Sequence, residues 1–488
     1  MIGRGMLAAI AIAILIGSAT IVRAADTALA IVVEDQSALR AEPRRSATQH
    51  AVLWAGDTLE VRGERLDYLQ VYDHRRERAG FVRTRDVRRI TLDPARAGDL
   101  FAVVQFLRES PGDEALGIAY AAAYLRAAPA KAIGADAFDA LGTLADHLAQ
   151  RASSNRNSSR DVTFAAHLEV AAQYGVAIRS FERAGRMQLC YDGEAFRRVL
   201  ALPASDEQKA RAALALTRPE CADPDMTPVQ RHAFDTWRTD VLDRAPRGEL
   251  SDLLKNRLRM RSAAVWASVA FQRSRRGEDS REAAERGLSE LAAVDARHLA
   301  ESDADDYSEA AVRVGASRWA AEPAVPNKSD LKLVTEPGEP GQTCLLLVDA
   351  KHGTKSPLLR QCTFATVWLN SARINAQGTA LALAVQPLES WRELWVFHRD
   401  GNRWHVDIAP PGADSPDLGY IEFAGWVPGG KKLLAAREIE TDDRFVQSFE
   451  LLDLATLNVD KRADKPDYLS IFYRWQDPEW KSQTVSLR

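Results

Sequence analysis

The sequence predicts a multidomain α+β protein: a short strand-rich segment, then a helical middle region, then a strand-rich carboxy-terminal region. Three observations predict it. The spacing of apolar residues changes from alternating to helical near Pro94 and back to alternating near Leu331. A chain of 488 residues is too long for one ordinary core. A composition that is 46% hydrophobic and 27% charged is that of a folded chain rather than a disordered one. The formal net charge of -4 supplies no global basic field, so nucleic acid is not an expected partner.

Residues 1–24 read as a signal peptide. Arg4 precedes an apolar run from Met6 to about Gly17, and "VRA" puts small Ala24 at the expected cleavage position. That run is shorter than the roughly 20 residues that span a bilayer, so cleavage is expected rather than anchoring. No Cys stands at the junction to carry a lipid. Cleavage removes Arg4 and Arg23, which makes the mature net charge -4 - 2 = -6. No other run is long and apolar enough for a span, so a periplasmic or secreted location is expected, with no integral membrane span after cleavage.

The four cysteines fall as two local pairs, Cys190 with Cys221 and Cys344 with Cys362. In an exported chain this reads as two disulfides, the first closing a helix–turn–helix loop and the second stapling a hairpin. A reactive thiol would need a His close by, and none is close in sequence.

Residues 28–91 alternate like short strands. "DTLEV" puts Leu59 and Val61 on one face, while "DYLQVY" puts Leu69 and Val71 on one face and Tyr68 and Tyr72 on the other. The expected core is Leu39, Val52, Leu59, Val61, Val71 and Val82. Too few strands are present for a large core or a buried catalytic cleft. The exposed aromatics Trp54, Tyr68, Tyr72 and Phe81 are therefore the candidate ligand-binding residues, able to stack on sugar or peptide, the other reading being that they cover the barrel against the helical region. Between Arg75 and Arg89, seven Arg stand against Glu77 and Asp86, a local net of 7 - 2 = +5. Such a run attracts an anionic polymer or acidic partner, or is simply a solvated edge.

Residues 95–321 read as helices. Leu116, Ala119, Tyr120, Ala123 and Tyr124 form one stripe that Pro129 ends, and Leu254, Leu258, Val265, Trp266 and Val269 form another. Asp279 with Glu282 looks like a capping box before a face of Ala284, Leu288 and Leu291. "ASSNRNSSRD" reads as a loop, in which Asn157 matches a glycosylation pattern that the bland reading of a polar loop outweighs. Stacked helical hairpins resembling a tetratricopeptide array fit the pattern, although no 34-residue repeat recurs.

Residues 328–488 return to strands. Asp400-Gly401 fits a two-residue hairpin turn, which would pair Phe397 with Trp404 and put His398, Arg403 and His405 on the other face. "NAQGTALALAVQ" aligns with "VPGGKKLLAARE", Gly378 matching Gly430 at a spacing of 430 - 378 = 52. Over about residues 375–458 this resembles the blades of TolB-type β-propellers, with their glycine turn into a strand and their "DL" ending. The resemblance implies a propeller-like region, an open sheet being the other arrangement.

The stretch from Ser37 to Val87 resembles the bacterial SH3-like (SH3b) domain. "ALRAEP", "LWAGDTLEV", "YLQV" and "AGFV" carry the likeness in the family's order, with Tyr68 and Phe81 where the family commonly has Trp. It implies a small β-barrel that binds peptidoglycan or peptides, often beside a wall-cleaving domain.

Such a domain has no visible signature here. HExxH, GxSxG, the P-loop and GxGxxG are all missing from the sequence, so no cofactor is expected. His398, Asp400, His405 and Asp407 invite a metal reading but offer no evident third ligand on one face. "ESDADDYSE" around Asp303 lacks the Gly and Glu of a calcium loop and reads as an acidic helix start. The Asp442-Asp443 pair carries no role without geometry. The expected function is an exported, non-catalytic envelope protein whose partner is peptidoglycan or an envelope protein or peptide. The alternative is an envelope enzyme with its site between the helical and carboxy-terminal regions.

Overall fold

The computed structural model describes residues 28–154, 158–183, 185–324, 329–412, 418–441 and 444–483. The segment to Ala24, Asn157 and the Asp442-Asp443 pair lie outside the described residues.

Seven strands come first: β1 (Leu29–Val32), β2 (Ser37–Arg40), β3 (Gln49–Leu53), β4 (Thr58–Arg65), β5 (Tyr68–Asp73), β6 (Arg78–Arg83) and β7 (Val87–Ile90). Helices α1 (Ala97–Arg108), α2 (Glu114–Ala127), α3 (Ala135–Ser154) and α4 (Ser158–Gln173) follow. A hairpin, β8 (Ile178–Arg183) and β9 (Arg186–Tyr191), interrupts the helices. After it come α5 (Glu194–Ala201), α6 (Asp206–Leu216), α7 (Pro228–Asp243), α8 (Asp252–Arg275), α9 (Arg281–Ala292) and α10 (Ala304–Ser317). The chain divides into two compact units. One comprises residues up to Ala128 with Val162–Tyr174; the other comprises Pro129–Asp161 and Gly175 onward.

In the first unit the strands form one antiparallel sheet of order β3-β2-β6-β5-β4-β1-β7. The path ends at β3 and β7, and no pair joins those ends among the described residues. Its core is Ala30, Val32, Leu39, Leu53, Leu59, Leu69, Val71, Val82 and Val87, with Val61 partly buried against it. Val52, expected in this core, is 38% exposed. The register explains it: Leu53 lies opposite Ser37 and Ala51 opposite Leu39, so alternation turns Val52 outward. The Gly56-Asp57 turn packs on the helices of its own unit. Gly56 has φ +95°, and a Cβ there would meet the Ala115 carbonyl oxygen and Val170 Cγ1 at 2.7 Å. Glycine alone permits both the conformation and the approach.

The second unit holds most of the helical region, which is not all-α as expected, because β8 and β9 lie within it. The stripes of α8 and α9 are buried at Leu258, Val265, Val269, Ala284 and Leu291. The capping box expected at Asp279 and Glu282 does not form. The N-cap of α9 is Ser280, and Asp279 accepts from the Arg281 N–H instead, at 3.0 Å. Reciprocal boxes are made by Ser205 with Gln208 on α6 and by Thr227 with Gln230 on α7.

The strands that follow are β10 (Lys332–Pro337), β11 (Thr343–Val348), β12 (Leu359–Thr363), β13 (Thr366–Ile374), β14 (Ala380–Leu388), β15 (Trp391–Asp400) and β16 (Arg403–Ala409). Then come β17 (Gly419–Trp426), β18 (Lys432–Thr441), β19 (Arg444–Asp453) and β20 (Val459–Ala463), and two short helices, α11 (Ser470–Trp475) and α12 (Pro478–Gln483). β10–β12 make a separate three-stranded sheet. β13–β16 and β17–β20 are successive four-stranded antiparallel meanders, joined by a short parallel pairing of Trp391 with Gly419 and Arg392 with Tyr420.

The 52-residue repeat read from the sequence recurs bond for bond. Gly378 donates to the Asn375 carbonyl and Gly430 to the Val427 carbonyl. Asn375 donates to Ala380 and Val427 to Lys432. Ile374 pairs with Leu381 and Trp426 with Leu433. Both glycines have positive φ, at 64° and 68°, as the tight turn into the next strand requires.

One buried cluster joins the helices to these strands. Glu422 accepts from Arg392 at 2.8 Å, Arg318 at 3.1 Å and the Trp480 indole at 2.7 Å, all four side chains being buried. Arg392 also donates to the Gly315 carbonyl of α10.

Candidate functional site

Among the described residues, side chains able to hold a ligand gather in at least two places. The first is the outer face of β4–β6. Leu69 and Val71 point into the core, so Tyr68, Gln70 and Tyr72 point away from it. Register then sets Arg83, Phe81 and Ala79 beside them. Three of the four nominated aromatics, Tyr68, Tyr72 and Phe81, thus share one face.

They are not equally available. Tyr68 is only 3% exposed, which corrects its expected place as an exposed ring; its hydroxyl accepts from Arg83 at 3.4 Å. Tyr72 and Phe81 are half-buried, with exposed Gln70 opposite Phe81. The Arg62 guanidinium lies over the Tyr72 ring at 4.1 Å from its centroid, and His74 meets that ring edge-on at 4.9 Å. Glu60 accepts from Arg62 at 2.9 Å and from His74 at 2.6 Å, and these bonds hold its carboxyl below the usual range. Trp54 is elsewhere, half-buried and edge-on to His167 at 6.5 Å.

The arginine run from Arg75 to Arg89 is largely occupied. Buried Asp57 accepts from Arg76 at 3.1 Å and from the Trp54 N–H at 3.0 Å, and Arg75 lies 3.6 Å away. Asp73 takes Arg76 at 2.7 Å, Asp86 takes Arg85 at 3.2 Å, and Glu64 takes Arg89. These pairs cut the expected local excess of charge, and the ordinary reading of a solvated edge fits most of the run.

The carboxy-terminal histidines are placed differently from the expected register. The two-residue loop is Gly401-Asn402, not Asp400-Gly401, so Phe397 pairs with Val406 and His398 lies directly opposite His405. The shift of one residue places the positive φ of Gly401 at the first loop position, where the hairpin twist demands it. Buried His398 shares a hydrogen bond of 2.6 Å with Asp407. No group of three or more potential ligands gathers around a metal position among the described residues. Asp303, at the acidic helix start, binds the Arg257 guanidinium through two bonds of 2.8 Å.

Both expected disulfides are present. Cys344 and Cys362 are direct cross-strand partners on β11 and β12, as a stapled hairpin requires. Cys190 is on β9 and Cys221 in a short 3₁₀ turn, so that bridge ties the hairpin to the segment after α6 rather than closing a helix–turn–helix.

The second place was not seen in the sequence. A cavity of about 510 Å³ opens among the helices of the second unit. Eight arginines line it: Arg183, Arg211, Arg218, Arg231, Arg238, Arg257, Arg261 and Arg313. Each helix contributes one stripe. Along α8 the lining positions are Leu254, Arg257, Met260, Arg261, Ala264 and Ser268, at the three- and four-residue spacing of a single face; along α6 they are Arg211, Leu214 and Ala215. That spacing was the available signal. A second stripe carrying Arg257 and Arg261 runs beside the apolar stripe of α8, where a helix with one buried face would be uniformly solvated.

No protein-family model, no curated protein and no solved structure matches the chain.

Proposed function

We propose that this chain is an exported, non-catalytic binding protein of the cell envelope, whose amino-terminal SH3-like module recognises peptidoglycan or an envelope peptide or protein. The observation that supports this best is the shared outward face of Tyr72 and Phe81, with Arg62 stacked on Tyr72 and exposed Gln70 opposite Phe81. Half-buried aromatics beside cations and an amide make a shallow platform, suited to a sugar ring or an extended peptide. The two disulfides fit an oxidising compartment. The repeated meanders support reading the carboxy-terminal region as propeller-like and as a surface for contact.

The test is co-sedimentation of the chain lacking residues 1–24 with purified peptidoglycan sacculi, beside the double variant Tyr72→Ala, Phe81→Ala. The intact chain is expected to pellet. The variant should bind about thirtyfold more weakly, the effect of losing a stacking anchor worth about 2 kcal/mol. An intact chain that stays in the supernatant overturns the peptidoglycan reading and directs the search to a protein ligand.

A further inference from the structure

We infer that the arginine-lined cavity of the second unit is a binding site for a small organic anion, its carboxylate or phosphate docking on Arg261 and Arg183. The inference is independent of the ligand of the amino-terminal module.

The lining separates into committed and uncommitted cations. Arg218 pairs with Asp146 at 2.5 Å, Arg257 with Asp303 at 2.8 Å and Arg313 with Glu309 at 2.8 Å. Arg231 and Arg238 share Asp235, at 2.8 and 2.9 Å, and Arg211 takes Asp139 at 3.0 Å. Arg261 and Arg183 differ. Among the described residues neither has a carboxylate within 4.0 Å. Arg261 donates to the Leu214 carbonyl at 3.3 Å, and Arg183 to the Pro219 carbonyl at 2.8 Å. A guanidinium carries five N–H donors in a fork that matches an oxyanion, so most of their donors are left over.

Both line the same cavity, whose wall also carries Glu309. Glu220, Asp306 and Glu309 are carboxylates in the same lining as Arg261. Glu309 is already paired with Arg313, and Glu220 lies 3.6 Å from Arg218. Asp306 also lines the cavity, and burial pushes its carboxyl up from the ordinary carboxylate value. Burial also pulls the Arg261 guanidinium below its usual value, and an anion would relieve that. Phe196, Leu254 and Met260 supply apolar wall in the same cavity. Its volume suits a small organic molecule with one charged end.

A purely structural ion-pair lattice is the competing account, and it predicts no ligand. Isothermal titration calorimetry on the full chain with hexanoate, glycerol phosphate and neutral hexanamide separates the two. Hexanoate or glycerol phosphate is expected to bind one to one, and which of them binds names the headgroup. Hexanamide is expected not to bind. Arg261→Gln and Arg183→Gln should each weaken binding at least tenfold, while Arg297→Gln, on the exposed surface, should leave it unchanged. Arg183 is exposed on a hairpin, so its variant decides the matter should Arg261→Gln fail to fold. Absence of binding by both anions, equal binding of hexanamide, or unchanged affinity in Arg183→Gln overturns the inference.

Discussion

Tyr174 shows how much one side chain can hold. Its hydroxyl donates to the Gly56 carbonyl at 2.6 Å and lies 2.6 Å from Thr58 Oγ1, on either side of the turn that opens β4. Burial pushes its ionisation up to about 12, from an ordinary 10.0. Folding therefore favours the protonated phenol. That contribution is fully present below pH 10 and is lost as the pH rises through 12. Urea denaturation followed at pH 9 and at pH 11.5 should show an alkaline loss of stability. The loss should shrink in Tyr174→Phe, which itself costs about 1–2 kcal/mol at neutral pH for the vacated bonds. An alkaline loss of the same size in the variant would remove Tyr174 as its cause. At this scale the sequence was an uneven guide. Leu39, Leu59, Val71 and Val82 sit in the core as their alternation implies. Tyr68 and Val52 exchanged their expected exposures, because register and covering neighbours decide whether an outward residue meets water.

The elements were the most legible level. Helix stripes and strand alternation emerge wherever one face is buried, since burial of apolar area is what selects them. Ends were harder to place. Asp279 and Glu282 had the spacing of a capping box, yet α9 begins one residue later, with Ser280 at its N-cap and no side-chain cap bond from it. The box on α6 is real: Ser205 caps Gln208, and Gln208 caps Ser205 in return. That helix carries Arg211 and Leu214 to the cavity wall. Ser205→Ala should cost about 1 kcal/mol in urea denaturation. It should leave peptidoglycan co-sedimentation unchanged. A cost below about 0.3 kcal/mol would mean the cap adds nothing beyond water. The hairpin at Gly401-Asn402 teaches the same lesson. A turn dipeptide marks the place of a hairpin, but its register is settled by the strand pairing that buries Phe397 and Val396.

At the scale of the whole molecule, both covalent bridges lie in the second unit, across sequence separations of 31 and 18 residues. Closing loops of this size stabilises by about 3 kcal/mol each in the chain-entropy account. Adding a reductant should thus lower the denaturation midpoint of the second unit clearly, and an unmoved midpoint would contradict a stabilising role for both bridges. Apolar periodicity by itself determined the order of strand-rich, helical and strand-rich regions. Cysteine spacing determined the two bridges, and the 52-residue recurrence determined the repeated meander. Each of these is a local pattern, written within tens of residues. Tertiary structure alone decided that Phe81 joins Tyr72 on one outward face, and that Glu422 binds two arginines where helices meet strands. It alone brought eight arginines from separate segments around one cavity. The physical reason is that a site is a meeting of residues distant in sequence, and what each guanidinium finds opposite it depends on packing that no single segment encodes.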